Sequence, residues 1–505
     1  MSTPKVPFDI PKRRFSKKAL NILIIVVAIM IFVLSQTSRK AAQKTPEAPA
    51  KSNEISPTET ATALKDLHAK IKTLPEDPIE LDIKHLYHPS GARLMFVAAP
   101  ELPMVNIEVI FDAGSARDGS LPGLARLTNS LLGEGSERYD VDEIAQGFES
   151  LGSEFGTASQ RDMGIVKLKT LSAPEYLNPS LELFIEVISK PTFPETSYSR
   201  LRKNMLLNLE HEKASPRSLI SKATWAALYP QHPYANHPGG TIATLENITR
   251  PLLTQFHKTH YTAANAVIAI VGALDWAHAK KISGQILSAL PAGQAPETLP
   301  AATMPAELAP IHITYPSQQT HIRIATLSLK RDSKDLILLT LANEVFGGGG
   351  FTSQLNKVIR QDNGLAYSVY SYASTMRERG LFLIDLQTRN DSAAKALKLT
   401  QKTLADFLQD GITDEALEKA KSHLVASFPL SFGTNSSILG RLGTMGFYKL
   451  PLNYYDQYVP ALQESDKTTA HNAFKQTIGA QQHLIITLGP EPVSPATETE
   501  TETEQ

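Results

Sequence analysis

The sequence predicts an α+β protein made of two homologous units in tandem. Three observations carry that prediction. Strand signals group with strand signals and helix signals with helix signals, rather than in the strict alternation of a doubly wound sheet. The order of these signals then repeats with an offset of about 216 residues, as expected of an internal duplication. Between the copies, residues 288–310 are rich in Ala and Pro and have the composition of an interdomain linker.

A chain of 505 residues with 42% hydrophobic residues has room for more than one core. Its formal net charge of -1 excludes the basic stripe of a general nucleic-acid binder, so no nucleic-acid partner is expected. There is no cysteine, which removes disulfides, thiolate zinc ligands and a Cys nucleophile.

Residues 1–18 form a basic N-terminus with Lys5, Lys12, Arg13, Arg14, Lys17 and Lys18. An apolar run from Ala19 to Leu34 follows, and residues 19–36 are expected to be a transmembrane signal anchor. The basic flank favours a cytoplasmic N-terminus with the remainder exported. A cleaved signal peptide is the rival reading, but Ser35-Gln36-Thr37 offers no small-x-small cleavage site. Residues 37–77, rich in Thr, Pro, Ala, Glu and Lys, read as a flexible tether.

The first unit spans 78–287. Strands are expected at His88–Ala98, Val105–Phe111, Gly164–Leu171 and Ala266–Val271. A helix is expected from Pro122 to Leu132, with Ser120 as its cap and Leu124, Leu127 and Leu131 on one face. Further helices are expected at Val141–Leu151, Tyr176–Ser189 and Glu195–Lys213. The second unit, 311–489, answers with strands at His321–Ser328, Gly380–Thr388 and His483–Leu488. Its expected helices are Ser333–Phe346, Ser392–Gln409 and Thr413–Phe428. Residues 490–505 read as an acidic, disordered tail.

The stretch Phe346–Tyr370, FGGGGFTSQLNKVIRQDNGLAYSVY, is the most informative part of the chain. Thr352 or Ser353 caps a helix with Leu355, Val358 and Ile359 on its apolar face, and Asn363-Gly364 ends it. A strand is expected at once, from Leu365 to Ala373. Arg360 then falls in the last helical turn and Tyr367 seven positions later, which allows both to face one ligand. On spacing alone the bland alternative stays open: Arg360 complements the helix dipole and Tyr367 packs. The run Gly347, Gly348, Gly349 and Gly350 lacks the Gly-Lys-Ser/Thr of a phosphate loop and reads as a flexible turn or a place of close backbone approach.

This segment resembles the C-terminal half of the pitrilysin/insulinase-type zinc metallopeptidases, the inverzincins. The resemblance covers residues 80–488, both units. It implies two metallopeptidase-like α/β sandwich domains, each a mixed, mainly antiparallel sheet flanked by helices, forming half of a clam-like chamber. It also implies that Arg360 and Tyr367 hold peptide substrate, and it ties a Gly-rich loop such as Gly347–Gly350 to substrate handling. The family carries H-x-x-E-H after Gly-Leu-Ala. Here Gly123-Leu124-Ala125 is followed by Arg126, Asn129 and Ser130 at the three zinc-motif positions. Arg has no lone pair to give a metal, and neither Asn nor Ser replaces an imidazole ligand or a carboxylate base. The family's third ligand would fall near Asn208, with Glu210 and Glu212 close by.

A relocated metal site among His211, His232, His237, His257 and His260 is the competing metal reading, with 257–260 spacing two imidazoles at i and i+3. The expectation is instead no metal and no catalytic residue on this chain, with zinc on a partner. The resemblance implies a heterodimer with an H-x-x-E-H homologue, acting on peptides or unfolded proteins in the periplasm of a bacterium. The alternatives are a purely structural or peptide-binding scaffold at the inner membrane, or a hydrolase with the relocated metal.

Overall fold

The segment AVIAIVG has no polar side chain and is buried at every residue, so both of its faces have to be covered. It is the sixth strand of a six-stranded sheet. That sheet comprises β1 (Lys84–Tyr87), β2 (Arg93–Ala98), β3 (Met104–Phe111), β4 (Glu154–Ser159), β5 (Gly164–Leu171) and β6 (Ala266–Gly272). Their spatial order is β1-β2-β6-β3-β5-β4. A five-stranded sheet holds β7 (Ile311–Thr314), β8 (Gln319–Leu327), β9 (Val369–Ala373), β10 (Leu381–Arg389) and β11 (Leu484–Gly489), in the order β7-β11-β8-β10-β9. In each sheet one pair is parallel, β2 with β6 and β7 with β11, and the others are antiparallel. From β2 onward the two sheets have one topology, which is the duplication read from the sequence.

The computed structural model describes residues 81–493. The expected basic N-terminus, anchor and tether, and the tail beyond 493, lie outside the described residues. Among the described residues no helix is long and apolar enough to cross a membrane.

Helices of the first half are α1 (Leu124–Ser130), α2 (Val141–Ser150), α3 (Pro174–Ser189), α4 (Glu195–Lys213), α5 (Pro216–Leu228), α6 (Ile242–Asn247), α7 (Arg250–His260) and α8 (Trp276–Ala289). Those of the second are α9 (Leu336–Asn343), α10 (Ala393–Asp410), α11 (Asp414–Ser427), α12 (Asn435–Tyr448), α13 (Tyr458–Glu464) and α14 (Lys467–Phe474). Several expectations change. The strand expected over His88–Ala98 begins at Arg93, because residues 88–92 turn the chain between β1 and β2. The helix expected over Ser333–Phe346 is an α-helix only over Leu336–Asn343. The helix expected from Pro122 starts at Leu124 with Gly123 at its N-cap, and Asp118 rather than Ser120 supplies the acceptor for its first N–H groups. The Asp118 carboxylate accepts from the N–H groups of Gly123 (2.8 Å) and Ala125 (2.7 Å). The strand expected from Leu365 starts at Val369, because Leu365 to Ser368 make the turn out of the preceding helix. That preceding helix is wound more loosely than an α-helix over Asn356–Asp362. Strands β1, β4 and β7 and helices α5–α8 and α12–α14 gave no signal that the sequence reading used.

The halves close each other. On one face the first sheet is covered by α1, α3 and α8 of its own half. Its other face is covered by α12, where Leu439, Leu442 and Met445 pack on Met95, Val97, Ala269 and Val271. Gly443 and Gly446 let that helix come close: a Cβ on either would sit 2.6 Å from Ile110 or Val267. Reciprocally, α5 of the first half lies on the second sheet, with Ile220 and Leu228 against Leu327, Leu383 and Ile486.

Asp162 ties the exchanged parts together. It is 2% exposed and accepts from the phenols of Tyr234 (2.5 Å) and Tyr448 (3.0 Å) and from the main-chain N–H of Arg377 (2.9 Å). Burial and the adjacent carboxylate push both phenols far up, so they stay protonated donors. Nearby, Arg117 grips Asp112 with two bonds of 2.8 and 2.7 Å, and Arg377 approaches the same carboxylate at 3.3 Å.

Replacing Asp162 by Ala strands three buried donors and is expected to cost about 3 kcal/mol or more, read as a lower urea midpoint. Asp140→Ala, which removes the exposed cap of α2, is the control and costs about 1 kcal/mol.

Candidate functional site

Helix α1 holds the three zinc-motif positions. It exists for packing reasons: Leu124, Leu127 and the following Leu131 are buried in the core of the first half. Gly123 precedes it with φ +101, a conformation that suits glycine, and a Cβ there would meet Leu245 at 3.0 Å. Arg126 is exposed, Ser130 is half-buried and Asn129 is 1% exposed. The Asn129 amide donates to the Tyr261 hydroxyl (3.0 Å) and more weakly to the Ile165 carbonyl (3.4 Å). It is thus spent on joining α1 to β5 and to the end of α7.

The surroundings are cationic. A cavity of about 530 Å³ beside the start of α1 is lined by Arg161, Lys213, Lys222, Trp225 and His237 among others. Arg161 lies flat on Trp225, its Cζ 3.4 Å from the ring centre. Of the acids expected near a third ligand, Glu210 pairs with Lys213 (2.8 Å), and Glu212 with Lys222 (2.7 Å) and His237 (3.5 Å). Asn208 is exposed on α4. A guanidinium, a committed amide and a hydroxyl do not make a zinc site.

The histidines are dispersed. His211 is exposed. His232 bonds the Pro300 carbonyl (2.9 Å) and accepts from Tyr234 N–H (3.1 Å). His257 meets the Ile188 carbonyl at 2.9 Å, so its Nε2 carries the hydrogen. Burial lowers His257 to about 4, and burial together with Arg117 lowers His260 to about 4. Among the described residues no group of three or more His, Asp or Glu is placed to hold a metal ion.

The second half brings Arg360 and Tyr367 together, with a third residue the sequence reading did not single out. Ser353 opens the helix, donating to the Gly350 carbonyl (2.7 Å) and accepting from Asn356 N–H (3.4 Å). Gly364, at φ +59, closes it, with N–H bonds from Gly364 to Arg360 (3.0 Å) and from Leu365 to Ile359 (2.9 Å). The turn carries Tyr367 back over the helix end. The Arg360 guanidinium then sits between two rings, 4.7 Å from the centre of Tyr367 and 4.5 Å from that of Phe351. Tyr367 is 83% exposed and Phe351 65% exposed. No carboxylate of the described residues pairs with Arg360. Gln361 pins the Phe351 carbonyl at 2.7 Å and so holds this ring's loop on the helix.

The glycine run supplies Phe351. Gly347, Gly348 and Gly349 are places of close approach, where a Cβ would strike Ser371, Asn343 or Glu344 within 3 Å. Gly350 has φ +58 instead, and nothing lies near it. An open groove of about 890 Å³ runs between this loop and α11, with Glu415, Lys419 and His423 on its far wall. The signal for Phe351 was present as an aromatic directly after the glycines. Its partner could not be known before the loop was seen to fold onto the helix.

Two family models match the chain: insulinase (peptidase family M16) over residues 93–241, and the peptidase M16 inactive domain over 247–424. The "uncharacterized zinc protease YmxG" of Bacillus subtilis is 24% identical over 362 residues, 72% of this chain and 87% of that protein. The "non-peptidase homolog YmxG" of Helicobacter pylori is 26% identical over 364 residues, 72% and 84% of the two chains. Among solved structures, a peptidase M16 inactive domain from Pseudomonas fluorescens has a TM-score of 0.79 at 39% identity, covering 82% of this chain and 99% of that one. A protease from Helicobacter pylori shares the fold with a TM-score of 0.73 at 18% identity, covering 81% and 100%.

Because His257 is held neutral below its free value of about 6.5, the unfolded chain takes up the proton first. Its contribution is full above pH 6.5, falls as the pH drops towards 4, and amounts to on the order of 3 kcal/mol. Urea titrations across that window are expected to show a shallower pH slope for His257→Gln than for the wild type.

Proposed function

The chain belongs to peptidase family M16, the insulinase family, as a non-catalytic member, and from that premise we propose that it is the zinc-less half of a two-component peptidase. Its partner is an H-x-x-E-H homologue that carries the zinc, and the substrate is a peptide or unfolded segment enclosed between the two. We place the pair outside the cytoplasmic membrane of a bacterium, tethered by the apolar run that follows the basic N-terminus.

One contrast carries the reading. At the metal positions the side chains are exposed, half-buried or spent on internal bonds, whereas the Arg360 cluster is built, exposed and free of internal acceptors. A guanidinium pinned between two rings keeps its orientation, and none of its N–H groups is taken by a carboxylate of the described residues. In this role Arg360 and Tyr367 donate to a peptide carbonyl of substrate bound at the partner's centre, where negative charge develops during cleavage. Preorganised donors act most strongly there, because they need not reorient. Phe351 is a positioning residue and the Gly347–Gly350 turn is the support that presents it.

In a pair reconstituted from this chain and its H-x-x-E-H homologue, Arg360→Ala and Tyr367→Phe are each expected to lower turnover by roughly 100- to 1000-fold with assembly intact. Arg360→Lys is expected to rescue poorly, since an ammonium lacks the planar fork. Unchanged turnover in both variants would favour a scaffold. Metal analysis of the chain alone is the second check: stoichiometric zinc with chelator-sensitive peptidase activity would overturn the proposal.

A further inference from the structure

A second cavity, of about 290 Å³, opens among the loop after β8, the β9–β10 hairpin and the segments that flank α12. Its lining is unusual in chemistry. Arg331 and Arg441 both reach it, together with Thr375 and the phenols of Tyr454 and Tyr458. Neither guanidinium pairs with a carboxylate of the described residues. Arg331 donates through Nη1 to Thr375 (3.2 Å), while its Nε is buried with no partner. Arg441 spends Nε on the Ser431 carbonyl (2.9 Å), stacks on Phe432 and Tyr455 and also hydrogen-bonds the Tyr455 side chain, with no carboxylate among its partners.

The hydroxyls add donors. Thr375 already accepts from Arg331, so its own hydrogen is available. Tyr454 and Tyr458 have no hydrogen-bond partner among the described residues. Burial pushes the Tyr458 phenol up to about 12, so it remains a donor at neutral pH. No Asp or Glu lines the cavity, and Glu344, which acts on Tyr458 electrostatically, is engaged by His423 at 2.6 Å.

A cavity lined by two guanidiniums, two unpartnered phenols and the Thr375 hydroxyl, with no carboxylate in its lining, is short of acceptors. A buried donor left without an acceptor is costly, and an oxyanion supplies several acceptors at once. We propose that this cavity binds phosphate, either free or as the headgroup of a small phosphorylated molecule. Arg331 and Arg441 hold the charge, and Thr375, Tyr454 and Tyr458 complete the shell. The volume exceeds that of phosphate alone and leaves space for a carrier the size of glycerol. This site shares no residue with the Arg360 cluster and is independent of the peptide role.

The test uses the full-length chain with inorganic phosphate, glycerol 3-phosphate and acetate at matched ionic strength, read by thermal shift and calorimetry. Saturable binding of phosphate or glycerol 3-phosphate is expected, weakened roughly ten- to a hundredfold in Arg331→Gln. Tighter binding of the ester identifies a phosphorylated metabolite as the source, and equal binding identifies free phosphate. Because an Arg variant can unfold the site, Tyr454→Phe is measured beside it and is expected to weaken binding several-fold with the melting temperature unchanged. No saturable binding, acetate binding as tightly as phosphate, or equal affinity in both folded variants would overturn the assignment.

Discussion

Each half of this molecule lends a helix to the other's sheet, and the rest of the architecture depends on that exchange. The strand AVIAIVG is apolar on both faces, but its own half covers only one of them. The second face is closed by α12, which arrives from the other half on a close-packed glycine surface. At about 25 cal/mol per Å² of apolar surface, an uncovered sheet face would cost more than the net stability of an ordinary domain. The Asp162 hub adds direction to this burial. Apolar contact alone tolerates sliding, whereas a buried carboxylate with three donors from three segments accepts one arrangement.

Helix α1 answers the same demands. Helix α1 contributes leucines to the core and cannot be dismantled without opening the first half. Asn129 is the informative case. A buried polar residue needs partners, and it finds Tyr261 and the β5 backbone, so Asn129 acts as a strut between α1 and its neighbours. Lys222, Lys213 and Arg161 line the cavity at the start of this helix and make that neighbourhood unfavourable to a cation.

The Arg360 cluster follows the opposite logic. Two large aromatic rings remain mostly in water on either side of a guanidinium, a costly arrangement for a residue whose only purpose is to stabilise the fold. Its supports are local and stiff: a Ser353 start, a Gly364 stop and glycines where a side chain would collide. The loosened helical winding across Asn356–Asp362 places Arg360 and the returning chain at a common opening.

What the sequence determined alone were features in which local preference and burial agree. The spans Gly164–Leu171 and Glu195–Lys213 fold over the residues expected of them, and Gly364 ends its helix as its missing side chain allows. Residue type alone also denies Arg126 a lone pair for a metal, whatever surrounds it. Tertiary structure decided the rest: Asp118 rather than Ser120 as the acceptor at the start of α1, Phe351 as the second ring on Arg360, and which helix closes which sheet. The Asp162 bonds join residues 72, 215 and 286 positions apart. Propensity reports on neighbours within a turn or two, whereas a buried polar group or a bare sheet face is satisfied by whatever the whole chain brings beside it.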